Sequence, residues 1–269
     1  MPESGRLAAQ RRHTLYFLRW SRAVAPVFLD TEVDMTRVLA HREQAAARGR
    51  RISVLSYVVR SATEVLARHP ACNAVVGGGL VPRIRHVDEV RPKIAMDRTV
   101  AGQRVVLSAV LPDQRGADLD EIQDALDRLR DTPAEELPEL RGTLLLHRLP
   151  AALGWPAFRA TVSRLSRRPG LLGTVAVSSL GHRAVDGFHA VGGTTCTLNL
   201  GRVRPTPVVR DGAVVVAPVL RLNLAFDHRV VDGAEAADVL TEITQSLEDG
   251  DVPSPLPVVA SGAAASSPP

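Results

Sequence analysis

The run Leu220 to Phe226 alternates apolar and other residues, and it closes on Asp227-His228-Arg229-Val230-Val231-Asp232-Gly233 before a helix-like segment. Period two commits such a run to a strand, with Asn223 facing opposite Leu222 and Leu224. The chain must therefore continue as a strand end, a tight turn and a helix. That order puts a histidine where the strand holds its imidazole, a glycine that permits the turn, and a carboxylate four residues on that can order the surroundings. Histidine titrates near neutral pH, so His228 can accept and return a proton, which is what positioned general-base chemistry needs.

The spacing also occurs a second time. His182-Arg183-Ala184-Val185-Asp186-Gly187 is nearly the same hexapeptide, and eight histidines among many aspartates make a chance recurrence easy. This copy follows Ser178-Ser179-Leu180-Gly181, in a glycine-flanked loop with no strand directly before it. It is read as a decoy and the second copy as the site.

The 269 residues suit one large domain or two small ones, with ample length for a core. Aromatics make up only 3 % of the chain, so the core must be aliphatic. There is no long uninterrupted apolar run and no membrane span is expected. Met1-Pro2-Glu3-Ser4 carries no signal-peptide pattern, and a cytoplasmic protein is the expectation. Cys72 and Cys196 lie far apart, without metal-ligand spacing or a disulfide framework, and are read as buried small apolar residues. No metal is expected. The net charge of +4 rests almost wholly on arginine, since Lys93 is the only lysine. That removes a lipoyl-lysine module from this stretch and makes Schiff-base chemistry improbable. Arginine suits phosphate-bearing ligands. Acidic residues are interspersed throughout, which argues against nucleic-acid binding.

Along the chain, residues 1–11 are expected to be flexible and 12–250 to form the catalytic domain. Helices are predicted at Arg12 to Trp20, at Val54 to Leu66 with Pro70 stopping it, at Leu119 to Leu129, and at Ala237 to Leu247. Strands are predicted at Val27 to Met35, Arg104 to Leu111, Thr174 to Ser178, Thr194 to Leu200 and Val214 to Phe226, with Gly77-Gly78-Gly79 a turn between short strands. Residues 251–269, rich in Pro, Ala, Ser and Gly, are expected to be disordered. Residues 141–170 carry six arginines and no acid. They read as an insertion: an extra packed helix, a basic lid, or a surface-binding amphipathic helix. Irregular alternation of helices and strands, with hairpin-like strands late, points to an α/β sandwich with a mixed sheet.

The stretch Leu222 to Ala234 closely resembles the catalytic signature of the 2-oxoacid dehydrogenase acyltransferases, relatives of chloramphenicol acetyltransferase. Gly173-Thr174-Val175-Ala176-Val177-Ser178-Ser179-Leu180-Gly181 is similar to that family's Gly-Thr-Phe-Thr-Ile-Ser-Asn-Leu-Gly. Pro26 to Thr36, Pro70-Ala71-Cys72-Asn73-Ala74 and Ile94-Ala95-Met96-Asp97 resemble further family segments. The resemblance spans about residues 10 to 249. It implies a chloramphenicol acetyltransferase-like two-layer sandwich and acyl transfer from coenzyme A to a dihydrolipoyl-type thiol or another nucleophile. His228 would be the base and Ser178 the oxyanion donor, favoured over Ser179. Asp232 would pair with an arginine, for which Arg12, Arg19 and Arg22 are candidates. Asp227, Arg229 and Gly233 would organise the turn, and Asn223 would be a polar tunnel residue or merely a strand-face residue. It also implies a homotrimer with sites between subunits, served by a lipoyl or carrier protein in trans. The stretch Ala190-Val191-Gly192-Gly193-Thr194-Thr195 departs from the family's Pro-Ile-Ile-Asn-Pro-Pro-like segment. Two other readings stand beside this one: a non-catalytic trimeric scaffold, and an enzyme condensing carrier-bound substrates.

Overall fold

The computed structural model describes residues 7–77 and 81–250. Gly78 and Gly79 of the expected turn, and the termini 1–6 and 251–269, lie outside the described residues. A 3-10 turn at Ala9–Arg11 runs straight into helix α1 (Arg12–Ser21), so this end of the expected flexible segment is helical instead. Strand β1 (Pro26–Asp34) comes next, then α2 (Thr36–Ala47), which the sequence pattern did not reveal, and α3 (Val54–Leu66). Two short strands, β2 (Ala74–Gly77) and β3 (Arg83–His86), pair with each other. The chain continues through β4 (Pro92–Val100), β5 (Gln103–Val110) and α4 (Leu119–Asp131), and then through α5 (Arg141–Arg148), α6 (Ala151–Ser163) and α7 (Arg168–Leu172). It ends with β6 (Val175–Ser179), β7 (Cys196–Arg210), β8 (Ala213–Asp227) and α8 (Gly233–Asp249).

Local chemistry sets these boundaries. Asp118 accepts from the Glu121 N–H while the Glu121 side chain accepts from the Asp118 N–H, a capping box that starts α4. Ser53 caps α3 through the Ser56 N–H. Asp211 and Gly212 both take positive φ, 51° and 79°, as the two-residue turn joining β7 to β8 demands. β8 matches its expected span to within a residue at each end, whereas β7 runs well beyond its expected end at Leu200, because its second half finds its ladder partner in β8.

Six strands form one mixed sheet in the order β1-β8-β7-β6-β4-β5. β6 is parallel to both neighbours and the other pairs are antiparallel. Helices α3, α4 and α8 pack together as a second layer, with α8 also against β1, which gives the two-layer sandwich. The core between the layers is aliphatic, with Leu66, Leu107, Ile122, Leu198, Leu220 and Leu224 essentially inaccessible. Emptying one such site by Leu→Ala typically costs about 2–5 kcal/mol. Cys72 and Cys196 are buried in this core. A side-chain hydrogen bond to Cys72, and then burial, push the Cys196 thiol well above its ordinary range, so it stays protonated and unreactive. Among the described residues no helix is long and apolar enough to cross a membrane.

A second, smaller cluster is aromatic. Tyr16, Phe158, Val162 and Leu172 are buried, with Phe17, Trp20, Leu146 and Trp155 packed against them. Five of the nine aromatic residues in the chain therefore serve to dock the 141–170 segment on α1. Helices α5 and α6 and the start of α7, not a single helix, make up this arm. Gly154 lies so close to Tyr16 that any Cβ there would fall 2.4 Å from its hydroxyl.

Candidate functional site

His228 stands one residue beyond β8, where both neighbouring strands restrain it. Pro26 of β1 pairs with Asp227, and Cys196 of β7 pairs with Phe226. The His228 N–H donates to the Ala25 carbonyl at 2.9 Å, and its ring lies 5.5 Å from the ring of Phe226. Asp227 is buried. Its carboxylate accepts from the backbone N–H groups of Ala25 and Arg229 and is gripped by both sides of the Arg229 guanidinium. The turn carrying the histidine is thus built by a charge-assisted bidentate pair.

The imidazole faces its own carboxylate: His228 Nδ1 is 3.6 Å from Asp232 Oδ1. A carboxylate on that side favours the proton on Nδ1 and leaves Nε2 as the acceptor. The first hexapeptide does not repeat this geometry. Asp186 binds Arg202 Nε at 2.6 Å and lies 3.7 Å from Arg204, instead of meeting His182. Gly233 opens α8 with ordinary backbone angles, and a Cβ there would meet nothing within 4 Å. The glycine that the sequence reading allowed for the turn is not demanded by the backbone there.

Ser178 and Ser179, at the end of β6, line a cleft of about 960 Å³. Both belong to its lining. Ser179 Oγ accepts from the Gly181 N–H at 3.3 Å, while the Ser178 hydroxyl makes no hydrogen bond among the described residues. The walls combine apolar side chains (Val54, Leu55, Met96, Val106) with Arg11, Arg42, Arg104 and Arg183. His182 lines the same cleft. Sequence reasoning missed these arginines because they come from four separate elements, without any shared spacing.

His228 and Ser178 do not meet within one chain. The sheet register aligns Ser178 with Asn199 and Asn199 with Asn223. Two strand spacings separate Ser178 from Asn223, about 10 Å, and five residues along β8 separate Asn223 from His228, about 16 Å. Their Cα atoms are therefore roughly 19 Å apart, far outside the hydrogen-bond reach of about 3 Å that shared chemistry needs.

Three expected site residues have other employment. Asn223 is buried, donates to the Leu29 carbonyl at 2.9 Å and accepts from Asn199 Nδ2 at 2.9 Å, so it is a sheet cross-link and not a tunnel lining. Asn199 also donates to the Ala190 carbonyl at 3.1 Å, tying the long loop before β7 to the sheet. Arg12 does not reach Asp232. It donates to the Leu149 carbonyl at 2.7 Å and the His147 carbonyl at 3.4 Å, clamping the arm. Arg19 lies over the Trp155 ring at 4.4 Å. The only charged partner within 4.0 Å of Asp232 among the described residues is His228.

Lys93, the only lysine of the chain, is buried on β4. Its ammonium donates to the Gly192 carbonyl and lies 4.8 Å from the centre of the Phe17 ring. Burial pushes its pKa down to about 8. It pins the glycine-rich stretch that departs from the family pattern.

Comparison with known proteins fits this architecture. The family model described as 2-oxoacid dehydrogenases acyltransferase (catalytic domain) matches residues 5–133 and 159–252, leaving the start of the arm unmatched. The dihydrolipoyllysine-residue acetyltransferase component of the pyruvate dehydrogenase complex of Bacillus subtilis is 30% identical over 236 residues, 85% of this chain and 46% of that protein. The chain thus spans about half the length of the curated relatives it matches. Among solved structures, the cubic core of a pyruvate dehydrogenase multienzyme complex superposes with a TM-score of 0.69 at 20% identity, covering 93% of this chain and 92% of that one. A dihydrolipoamide acetyltransferase from Azotobacter vinelandii, studied for the catalytic roles of a serine, a histidine and an asparagine, gives the same TM-score, identity and coverage. At such identity these likenesses speak to the fold, and the family match speaks to descent: the chain belongs to the 2-oxoacid dehydrogenase acyltransferase family, whose catalytic domain it matches.

Proposed function

We propose that this chain transfers an acyl group between coenzyme A and a thiol of the dihydrolipoyl type, at sites shared between neighbouring subunits of a trimer. The observation that carries the shared site is the separation of roughly 19 Å between His228 and Ser178 along the sheet register. A base and an oxyanion donor so far apart in one chain can act on one substrate only if they come from two chains. A cubic core of the kind formed by the solved relative contains three-fold axes, which supports a trimer. In the Azotobacter vinelandii relative, the residues studied for catalysis are a serine, a histidine and an asparagine four positions after that histidine, where this chain has Asp232.

The chemistry follows from these groups. Nε2 of His228 takes the proton of the acceptor thiol, and the sulfur attacks the thioester carbonyl carbon. The carbonyl oxygen becomes an oxyanion that accepts from the Ser178 hydroxyl of the neighbouring chain. Collapse expels the coenzyme A thiolate, which recovers the proton from the imidazolium. Asp232 lies on the Nδ1 side of the ring, 3.6 Å away. The cleft suits coenzyme A as substrate: Arg11, Arg42 and Arg183 match phosphates, while Arg104 is held by Asp97, and its apolar wall matches a pantetheine arm.

The test is thiol release from acyl-coenzyme A with dihydrolipoamide as acceptor. His228→Ala is expected to lower kcat by about 10²–10⁴-fold. The presence of His182 in the Ser178 cleft favours a second reading, with base and donor from one chain. His182→Ala separates the two: it leaves transfer intact if His228 is the base. Full activity in His228→Ala would refute the proposal.

A further inference from the structure

The positive charge of this protein is concentrated in one place. The chain nets +4, yet residues 141–170 hold six arginines and no acid, so the rest of the chain nets −2. Arg168 is buried and spends its guanidinium on the Val162 and Val76 carbonyls, fastening the arm to β2. The other five, Arg141, Arg148, Arg159, Arg164 and Arg167, are exposed and make no ion pair or side-chain hydrogen bond among the described residues. Arginines elsewhere on the surface are neutralised: Arg50 holds Asp120 and Asp124, Arg104 holds Asp97, and Arg128 holds Glu139.

The basic segment that carries these arginines is firmly mounted. The aromatic cluster under α6 and the Arg12 clamp on α5 fix it to α1. His147 Nε2 donates to His13 Nδ1 at 2.8 Å, and His13 Nε2 donates to the Val106 carbonyl at 3.0 Å. Val106, Thr14 and Arg11 line the Ser178 cleft. The arm therefore stands one side-chain layer behind the cleft wall, at its rim.

We propose that the arm is the docking surface for an acidic protein domain that carries the acceptor thiol on a tethered arm. The proposal rests on the acyl-transfer reading above and names the partner surface for it. Charge complementarity argues for the partner's sign, and composition argues for its kind. The exposed face is arginine interspersed with Leu145 and Leu153, both more than half exposed. Arginine with scattered apolar contacts and no lysine is the make-up of a protein interface. The large aromatics that would anchor a membrane-surface helix or stack on bases are turned inward against α1. The only lysine, Lys93, is buried, so within these residues the acceptor must be presented by another domain.

The experiment compares two acceptors, free dihydrolipoamide and a dihydrolipoyl domain with a surplus of acidic residues. The triple variant Arg148→Glu, Arg159→Glu, Arg164→Glu is set against the wild type, with the Arg→Gln triple variant separating loss of charge from misfolding. The expected result is a rise of about tenfold or more in KM for the domain-borne thiol, smaller in the Gln variant, with KM and kcat for free dihydrolipoamide unchanged. Raising salt should raise the wild-type KM for the domain alone. An unchanged KM for the domain, or an equal change for both acceptors, overturns the proposal. So does wild-type binding to vesicles rich in phosphatidylserine, or to duplex DNA, that the variant loses while its KM for the domain stays put. Should the wild type fail with free dihydrolipoamide, the acyl-transfer reading falls. Docking is then read by fluorescence anisotropy of the labelled acidic domain: binding lost in the Glu variant supports the surface, and no binding to the wild type overturns it.

Discussion

Mixing two inactive variants tests the shared site directly. Ser178→Ala removes the oxyanion donor, at a cost of about 10²–10³ in kcat. His228→Ala removes the base, at about 10²–10⁴. Neither chain alone can build a complete site. The register places the two residues roughly 19 Å apart, so each site must combine the His228 of one chain with the Ser178 of the next. In randomly mixed oligomers at equal proportions, half the chains supply an intact histidine and half an intact serine. About a quarter of the sites are then complete, whatever the ring size. Co-expression of the two variants with different tags and tandem purification keeps only mixed trimers, each with one complete site in three, so the thiol-release assay should recover about a third of the wild-type rate. That is one to three orders of magnitude above either parent. Recovery no greater than the mean of the parents, in mixed oligomers confirmed by both tags, would show that base and donor act within one chain and would sink the shared-site mechanism.

Other consequences concern stability. Burial holds the Lys93 pKa at about 8 against an ordinary 10.5, so between these pH values the unfolded chain keeps a proton that the folded chain lacks. Stability should therefore rise with pH across that window, by up to about 3 kcal/mol, and Lys93→Met should abolish the rise in urea titrations; parallel curves for the two proteins would mean the ammonium is hydrated. Both rings of the His13–His147 contact are held neutral by burial. Burial first, and then the neighbouring His13 and Arg12, push His147 down to about 4, and burial lowers His13 as well. The stabilisation is complete above the ordinary histidine value and is lost as pH falls from about 6.5 towards 4. Limited proteolysis should show cleavage after Arg148 and Arg159 increasing over that range, and a His13→Phe variant should lack the pH dependence. Glycines should differ sharply: Gly233→Ala is expected to be neutral or stabilising by up to about 1 kcal/mol in thermal melts. Gly201→Ala, whose Cβ would fall 1.9 Å from the Asp186 carbonyl, should cost several kcal/mol or prevent folding.

Much of the fold was legible because the signals are local. The alternation in Leu220–Phe226, the helical spacing in Val54–Leu66 and the Asp118–Glu121 cap each act over a few residues. α2 escaped notice because its apolar face is narrow: only Val38 and Ala45 are buried, so its sequence shows little periodicity. β7 is longer than its local pattern suggests because Val203–Arg210 gives no strand signal of its own and pairs with Ala213–Leu220 of β8. At the site, the His228 turn could be read because its determinants are consecutive. The cleft could not, since Arg11, Arg42, Arg104 and Arg183 converge from distant segments. The contacts of Arg12 and Asn223 could not be read for the same reason. Their partners, the carbonyls of residues 147 and 149 and Asn199, lie far along the chain.

Composition and pattern by themselves determined an aliphatic core, a strand–turn–helix carrying His228, and a basic segment at 141–170. These depend on side-chain type and short-range order, which the sequence states outright. Only the tertiary structure decided that Asp232, and not Asp186, faces its histidine, and that five of the nine aromatics anchor the arm instead of the main core. It alone decided how far His228 stands from Ser178. That distance depends on strand order and register, which arise from long-range pairing and leave no mark on any one stretch of chain.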